Sequence, residues 1–195
     1  MNNEYENAIM NHTIDCFVPH CSEVCAEELR SELVACPLVT SVNELLDTEC
    51  EDNAPFIPLE RSLSTRLLKT ILQCCTSNYV LLYTHAGSLR MGYRAIERML
   101  RAAVDSDADF VYSHRYVTKQ GETLAVPTNE YQEGSVRDDF DFGPLMLIRV
   151  EAIRQFLATQ PEEMLHAALY QLRLYISRTG RLVHINEYFL PNLDI

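Results

Sequence analysis

The sequence predicts a doubly wound α/β domain in which helices cover both faces of a mostly parallel central sheet. Short apolar runs alternate with segments of helical period, which is typical of right-handed βαβ units. Residues 79–83 are continuously apolar, as expected for a central parallel strand that is buried on both faces. The chain has 195 residues, of which 47% are hydrophobic, and this is enough to bury one sizeable core. We therefore expect a single domain over residues 1–195.

The first half of the chain contains the start of this alternation. Pro19 ends the first apolar run, so that strand points at residues 20–22. Pro37 breaks the first helical pattern, and Ser62 is the expected N-cap of the second helix. Two prolines in the third apolar run indicate an edge strand. The predicted strands cover residues 14–18, 39–46 and 55–59, and the predicted helices cover residues 24–34 and 63–75.

The second half continues the same alternation. Pro161, followed by two glutamates, favours the first turn of a long helix that stops just before Gly180. Residues 118–133 have no clear period and indicate an irregular excursion of the kind that carries function. The predicted strands cover residues 79–83, 110–112, 145–148 and 182–185, and the predicted helices cover residues 92–103, 150–158 and 161–178.

The charge of the chain excludes some classes of partner. The formal net charge is −12, which repels nucleic-acid phosphates and anionic lipid surfaces. We find no apolar stretch of membrane-spanning length, and the polar, acidic start of the chain is unlike a signal peptide. We therefore expect a soluble cytoplasmic protein that binds neither nucleic acid nor membranes.

The seven cysteines are expected to be reduced thiols, because a cytoplasmic chain with an odd count does not indicate a disulfide framework. A zinc protein is the weaker alternative. Against it, no two cysteines in the candidate cluster have the spacing of a zinc knuckle. The residues of that cluster are His12, Cys16, His20, Cys21 and Cys25.

Residues 137–143 form the most distinctive polar run of the chain. If Phe140 and Phe142 alternate inward, Asp139 and Asp141 project together on the opposite face. These carboxylates could bind sugar hydroxyls or a cation, and the guanidinium of Arg137 could pair with a phosphate. The alternative is that these charges only cap neighbouring elements and pair with one another at the surface.

Several segments in sequential order resemble the bacterial family 2 glycosyltransferases of the GT-A fold. Together they span roughly residues 14 to 190, which is nearly the whole chain. The matching segments are residues 17–19, 79–83, 108–112, 137–143, 170–174 and 182–185.

The resemblance implies a transferase that moves a sugar from a nucleotide-diphospho-sugar to a glycan acceptor. The donor is expected in the crevice at the carboxyl ends of the parallel strands. The residues that the resemblance assigns to nucleotide-sugar binding are Pro19, His20, Thr84, His85, Arg137 and Asp138, and those it assigns to catalysis are Asp139 and Asp141.

The sequence departs from the family at two positions. The family has an Asp-x-Asp motif after the strand at 79–83 to hold Mg²⁺ or Mn²⁺, whereas residues 84–87 contain no carboxylate, so we assign no metal ligand. The stretch comparable to the family's general base, residues 166–171, also has no carboxylate. The alternative function is therefore a catalytically inactive module for interaction or positioning, a pseudoenzyme. By resemblance, it could form the front part of a longer protein with a downstream transferase domain.

Overall fold

The computed structural model describes residues 9, 11–19, 24–45, 63–85, 91–119, 122–134, 140–160 and 162–190. Within these residues the chain forms an α/β fold, as the sequence predicts. The strands are β1 (Ile14–Pro19), β2 (Val39–Leu45), β3 (Tyr79–Tyr83), β4 (Phe110–Lys119), β5 (Glu122–Val126), β6 (Leu145–Arg149) and β7 (Leu182–Leu190). The helices are α1 (Val24–Ala35), α2 (Thr65–Cys74), α3 (Ala95–Asp105), α4 (Val150–Thr159) and α5 (Ala168–Thr179).

All seven strands of the described residues belong to one sheet with the order β2-β1-β3-β6-β4-β5, and β7 pairs with β4. β1 is parallel to β2 and β3, and β4 is parallel to β7, whereas β6 is antiparallel to both β3 and β4. β5 is antiparallel to β4. Five strands therefore run in one direction, and the prediction of a mostly parallel sheet is confirmed at this level.

The prediction that β3 is a central parallel strand is wrong on one side. β3 is buried along its whole length, but its neighbour β6 runs antiparallel to it, with Tyr83 opposite Leu145. β6 is antiparallel because of the β4–β5 hairpin that precedes it. β4 continues past the residues that pair with β6 and then pairs with β5, so β5 carries the chain back. The chain therefore re-enters the sheet at the end where β3 leaves it. A continuous apolar run predicts that a strand is buried, but it does not predict the direction of the neighbouring strands.

Helices cover both faces of the sheet, as predicted. Leu29 and Leu33 of α1 and Met99 and Leu100 of α3 lie in the core on one face. The core on the other face contains α2, α4 and α5, through residues that include Leu68, Ile71, Ile153, Phe156, Leu169 and Leu172. The two cores meet across the alternating side chains of the strands.

The predicted N-cap at Ser62 is wrong. The helix begins two residues later, and the hydroxyl of Ser64 accepts the backbone N–H of Leu67 at 3.2 Å. The predicted strand at residues 55–59 lies outside the described residues.

The predicted long helix from Pro161 is also wrong in its first turns. α5 begins only at Ala168, because Ala167 has a left-handed backbone with φ of 61°. The backbone of Met164 instead bonds to Thr65: its carbonyl accepts from Thr65 N at 2.9 Å, and its N–H donates to Thr65 Oγ1 at 3.0 Å. These tertiary hydrogen bonds satisfy groups that a helix would have used.

Residues 118–133 are partly regular, which corrects the predicted irregular excursion. β4 continues to Lys119, and Arg115 to Lys119 pair with β5 in an antiparallel ladder. β5 is exposed along most of its length, so its sequence lacks the alternation of apolar and polar residues that predicts a strand.

Candidate functional site

The carboxyl ends of β1 and β3 meet at one edge of the sheet. Phe17 of β1 pairs with Leu82 of β3, and Pro19 and Thr84 each follow two residues further along in parallel strands. Thr84 is fully buried, and both its N–H (2.9 Å) and its hydroxyl (3.2 Å) donate to the carbonyl of Pro144. The structure thus brings Thr84 to the end of the predicted polar run, at what we call the carboxyl edge.

The described end of that run, residues 140–144, is anchored by its aromatic side chains. Phe142 is 1% exposed and packs against the rings of Tyr112 (5.0 Å), Phe110 (5.2 Å) and Phe140 (4.5 Å). Asp141 between them is exposed, as the alternation predicted. The guanidinium of Arg173 lies 5.1 Å from the Phe142 ring. The inward phenylalanines therefore fix an acidic turn at the edge of the sheet.

Asp141 is engaged by two groups. Its Oδ1 accepts the N–H of Gly143 at 2.7 Å, and its Oδ2 lies 2.7 Å from Nη1 of Arg115. Gly143 has a positive φ of 74°, which this tight turn requires. A carboxylate oxygen has lone pairs for more than one donor, so Asp141 retains acceptor capacity towards solvent.

Arg115 is a candidate that sequence reasoning missed. Its side chain is only 17% exposed and ends at the carboxyl edge beside Asp141. A largely buried guanidinium beside this turn is well suited to bind phosphate oxygens. Arg115 lies two residues from buried Ser113 and Val117 in β4, whereas the predicted strand covered only residues 110–112, so the sequence pattern did not indicate an inward-facing arginine.

His85 follows Thr84 at the same edge. Its Nδ1 is buried and has no hydrogen-bond partner among the described residues. A buried polar atom of this kind usually has a partner in the functional state. The other predicted site residues, His20, Arg137, Asp138 and Asp139, lie outside the described residues. Of the predicted set, the structure therefore places Thr84, His85 and Asp141 at this edge, and Pro19 ends the neighbouring strand β1.

A pair of histidines adjoins the carboxyl edge and was also missed by sequence reasoning. His114 of β4 and His184 of β7 have ring centroids 4.6 Å apart, and both contact Thr128. The methyl group of Thr128 lies 3.7 Å from the position that a Cβ at Gly143 would take. The register between parallel strands β4 and β7 brings the histidines together, and this register could not be read from the sequence.

The zinc alternative is only partly covered by the described residues. His20, Cys21 and the side chain of Cys25 lie outside them, and Cys16 is fully buried in β1, where burial raises the pKa of its thiol. Within the described ranges, no three or more His, Cys, Asp or Glu side chains are grouped to hold a metal ion.

Two cavities lined by described residues lie away from the predicted site. One of about 350 Å³ lies where β3 begins and includes His12, Asn78, Arg149 and Arg154. The arginines there are paired with Asp107, Asp109 and Glu151. The other, of about 520 Å³, lies between α1 and α3.

Comparison with known proteins does not assign the chain to a family. The sequence matches no protein-family model, and no curated protein is significantly similar to it. None of the helices in the described part of the chain has the length and apolar content of a membrane span.

Proposed function

We propose that this chain is a glycosyltransferase-like domain of the GT-A type that binds a nucleotide-diphospho-sugar at the carboxyl edge of its sheet. The observation that carries the proposal is the convergence of Thr84 at the end of β3, the Asp141–Gly143 turn and Arg115, which lies in β4 beyond the residues that pair with β6. In open α/β sheets, ligands bind outside the carboxyl ends of the strands. The sequence resemblance supplies the ligand class.

Arg115 is the proposed diphosphate ligand. Its Nη1 is buried and lies 2.7 Å from Oδ2 of Asp141 without hydrogen-bond geometry, so the guanidinium is placed beside the turn and keeps donor capacity for a ligand. An arginine fork binds two phosphate oxygens at once, and the low exposure of this side chain reduces screening by solvent. Asp141 would orient Arg115 and keep acceptor capacity for a sugar hydroxyl. The buried Nδ1 of His85 supplies a further polar atom at this edge.

Calorimetry with UDP-sugars and GDP-sugars, with and without Mn²⁺, tests the proposal. We expect saturable heat for at least one donor. Arg115→Gln should weaken binding about tenfold or more, because a hydrogen bond to a charged group contributes about 1.5–3 kcal/mol. The matched control is Arg154→Gln, which breaks the Arg154–Glu151 ion pair on α4 and should leave affinity unchanged. The absence of heat at millimolar concentrations of every donor would contradict the proposal.

Catalytic transfer and donor binding without turnover are separate versions of this function. The engagement of Asp141 by Gly143 and Arg115 favours a binding role for that residue. Release of nucleoside diphosphate from a bound donor distinguishes the two versions. Under the catalytic version, Asp141→Ala abolishes release, whereas an inactive module binds the donor and releases nothing.

A further inference from the structure

The two histidines beside the carboxyl edge form a directional hydrogen-bond chain. The N–H of Thr128 donates to Nδ1 of His114 at 3.0 Å, so this nitrogen carries a lone pair. The proton of His114 is therefore on Nε2, which donates to Oδ1 of Asn186 at 2.7 Å. The tautomer of His114 follows from a backbone donor whose role is fixed.

Thr128 extends this chain to His184. Its hydroxyl lies 3.2 Å from Nδ1 of His114 and 3.0 Å from Nε2 of His184. Nε2 of His184 also lies 3.3 Å from Nδ1 of His114, whose single lone pair accepts the N–H of Thr128. A second lone pair facing that nitrogen would be repelled, so Nε2 of His184 carries the proton and donates to Oγ1 of Thr128. Nδ1 of His184 then carries a lone pair, and it has no hydrogen-bond partner among the described residues.

The surroundings of His184 keep its ring in place and neutral. The ring stacks on Tyr112 with centroids 4.8 Å apart, and Tyr112 packs on Phe142 of the acidic turn. Burial and the neighbouring His114 lower the pKa of His184, against an opposing effect of Glu130. A neutral, partly buried imidazole with one nitrogen bonded and the other open is equipped to accept a proton.

We propose that His184 is the proton acceptor for the nucleophilic hydroxyl, with Thr128, His114 and Asn186 as positioning residues. This inference rests on the proposed function and supplies the base that residues 166–171 lack. His184 Nδ1 takes the hydroxyl proton as the oxygen's electron pair forms the bond to the anomeric carbon. The bond from that carbon to the diphosphate oxygen breaks, and the diphosphate leaves with the electron pair. His184 later returns the proton to solvent.

Long-range ¹H–¹⁵N spectra of protein with ¹⁵N-labelled histidine test the proposed protonation state of His184 without requiring turnover. We expect His184 to be protonated on Nε2 at pH 8 and to gain its second proton on Nδ1 as the pH falls. Thr128→Val should lower the pKa of His184, because it removes the acceptor that stabilises the imidazolium. An Nδ1–H tautomer of His184 at pH 8 would overturn the inference.

Release of UDP from UDP-glucose, or of GDP from GDP-mannose, tests the role in the reaction. His184→Gln should keep the donor affinity within about twofold and reduce release about 10²-fold or more, the usual range for a general base. His166→Gln, an exposed histidine, is the control and should change neither. In the wild type, the rate should rise with pH to a plateau, and Thr128→Val should move the midpoint down.

The outcomes separate the two proposals. A donor that binds and is turned over equally fast by His184→Gln contradicts this inference and leaves the proposed function standing. A donor that binds without any release from the wild type also contradicts it. Failure of the wild type to bind any donor contradicts both.

Discussion

At the residue scale, buried Asp15 connects three segments of the sheet. Its Oδ1 accepts from the hydroxyl of Ser41 at 2.6 Å, and its Oδ2 accepts from the N–H groups of Thr76 at 2.7 Å and Ser77 at 2.9 Å. Burial raises the pKa of this carboxyl, but the hydrogen bonds, led by those from Ser41 and Thr76, outweigh it and hold the pKa below its usual value. The ionised form therefore stabilises the fold.

Asp15→Asn should lower the free energy of unfolding at pH 7 by about 2–3 kcal/mol. The substitution removes hydrogen bonds to a charged group and leaves one amide oxygen as the acceptor for buried donors. A lowered folded pKa stabilises the protein above the unfolded pKa of 3.8. The difference between wild type and variant should therefore be constant near neutral pH and shrink as the pH falls below about 4. Urea denaturation at several pH values measures it.

The control for this prediction is Asp107→Asn. Asp107 pairs with Arg149, but its side chain is 86% exposed, so its loss should change stability much less. A difference for Asp15→Asn that is independent of pH from neutral to 3 would contradict the assignment of the stabilising form.

Gly143 shapes the acidic turn through its positive φ. Gly143→Ala should lower the free energy of unfolding by about 1–2 kcal/mol, the cost of a left-handed alanine. Gly134 also has a positive φ, 79°, with open space around its Cβ position, so Gly134→Ala should cost about as much. Only Gly143→Ala should also weaken donor binding by calorimetry. Equal donor affinities in the two variants would show that the turn does not contribute to the site.

At the element scale, α2 depends on the Ser64 N-cap. Ser64→Ala should lower the free energy of unfolding by about 1 kcal/mol, because it leaves the N–H of Leu67 without its side-chain acceptor. Thr70→Ala on the exposed face of the same helix is the control. It removes a hydroxyl that bonds to Arg66 O within the helix and should be neutral or slightly stabilising. Thermal or urea unfolding of both variants checks the difference, and equal losses would contradict the capping assignment.

The predicted elements were most accurate where one periodic pattern decided them. The strands at Tyr79–Tyr83 and Leu145–Arg149 and the helix at Val150–Thr159 were predicted within one or two residues. The predictions failed where tertiary hydrogen bonds decided, as at Met164, which bonds to Thr65 instead of forming a helical turn. Ser62 and Ser64 are both suitable caps, and only the start of the helix selects between them.

At the scale of the whole molecule, strand direction and register explain why only part of the site could be predicted. Thr84 and Asp141 could be chosen from sequence because each ends a recognisable pattern. Their proximity depends on β6 running antiparallel to β3, which puts Pro144 against Thr84. Arg115, His114 and His184 needed the pairing of β4 with β7 and with the acidic turn. No local pattern in the sequence encodes such long-range pairing.

Backbone amide spectra of ¹⁵N-labelled protein during donor titration show whether a nucleotide-diphospho-sugar binds at the carboxyl edge. We predict saturable shifts for Thr84, Arg115 and Gly143, with the amides of Ser77 and Asn78 at the opposite edge unchanged. Shifts confined to Ser77, Asn78 and Arg149, which line the cavity where β3 begins, would contradict the account, as would no shift at any residue.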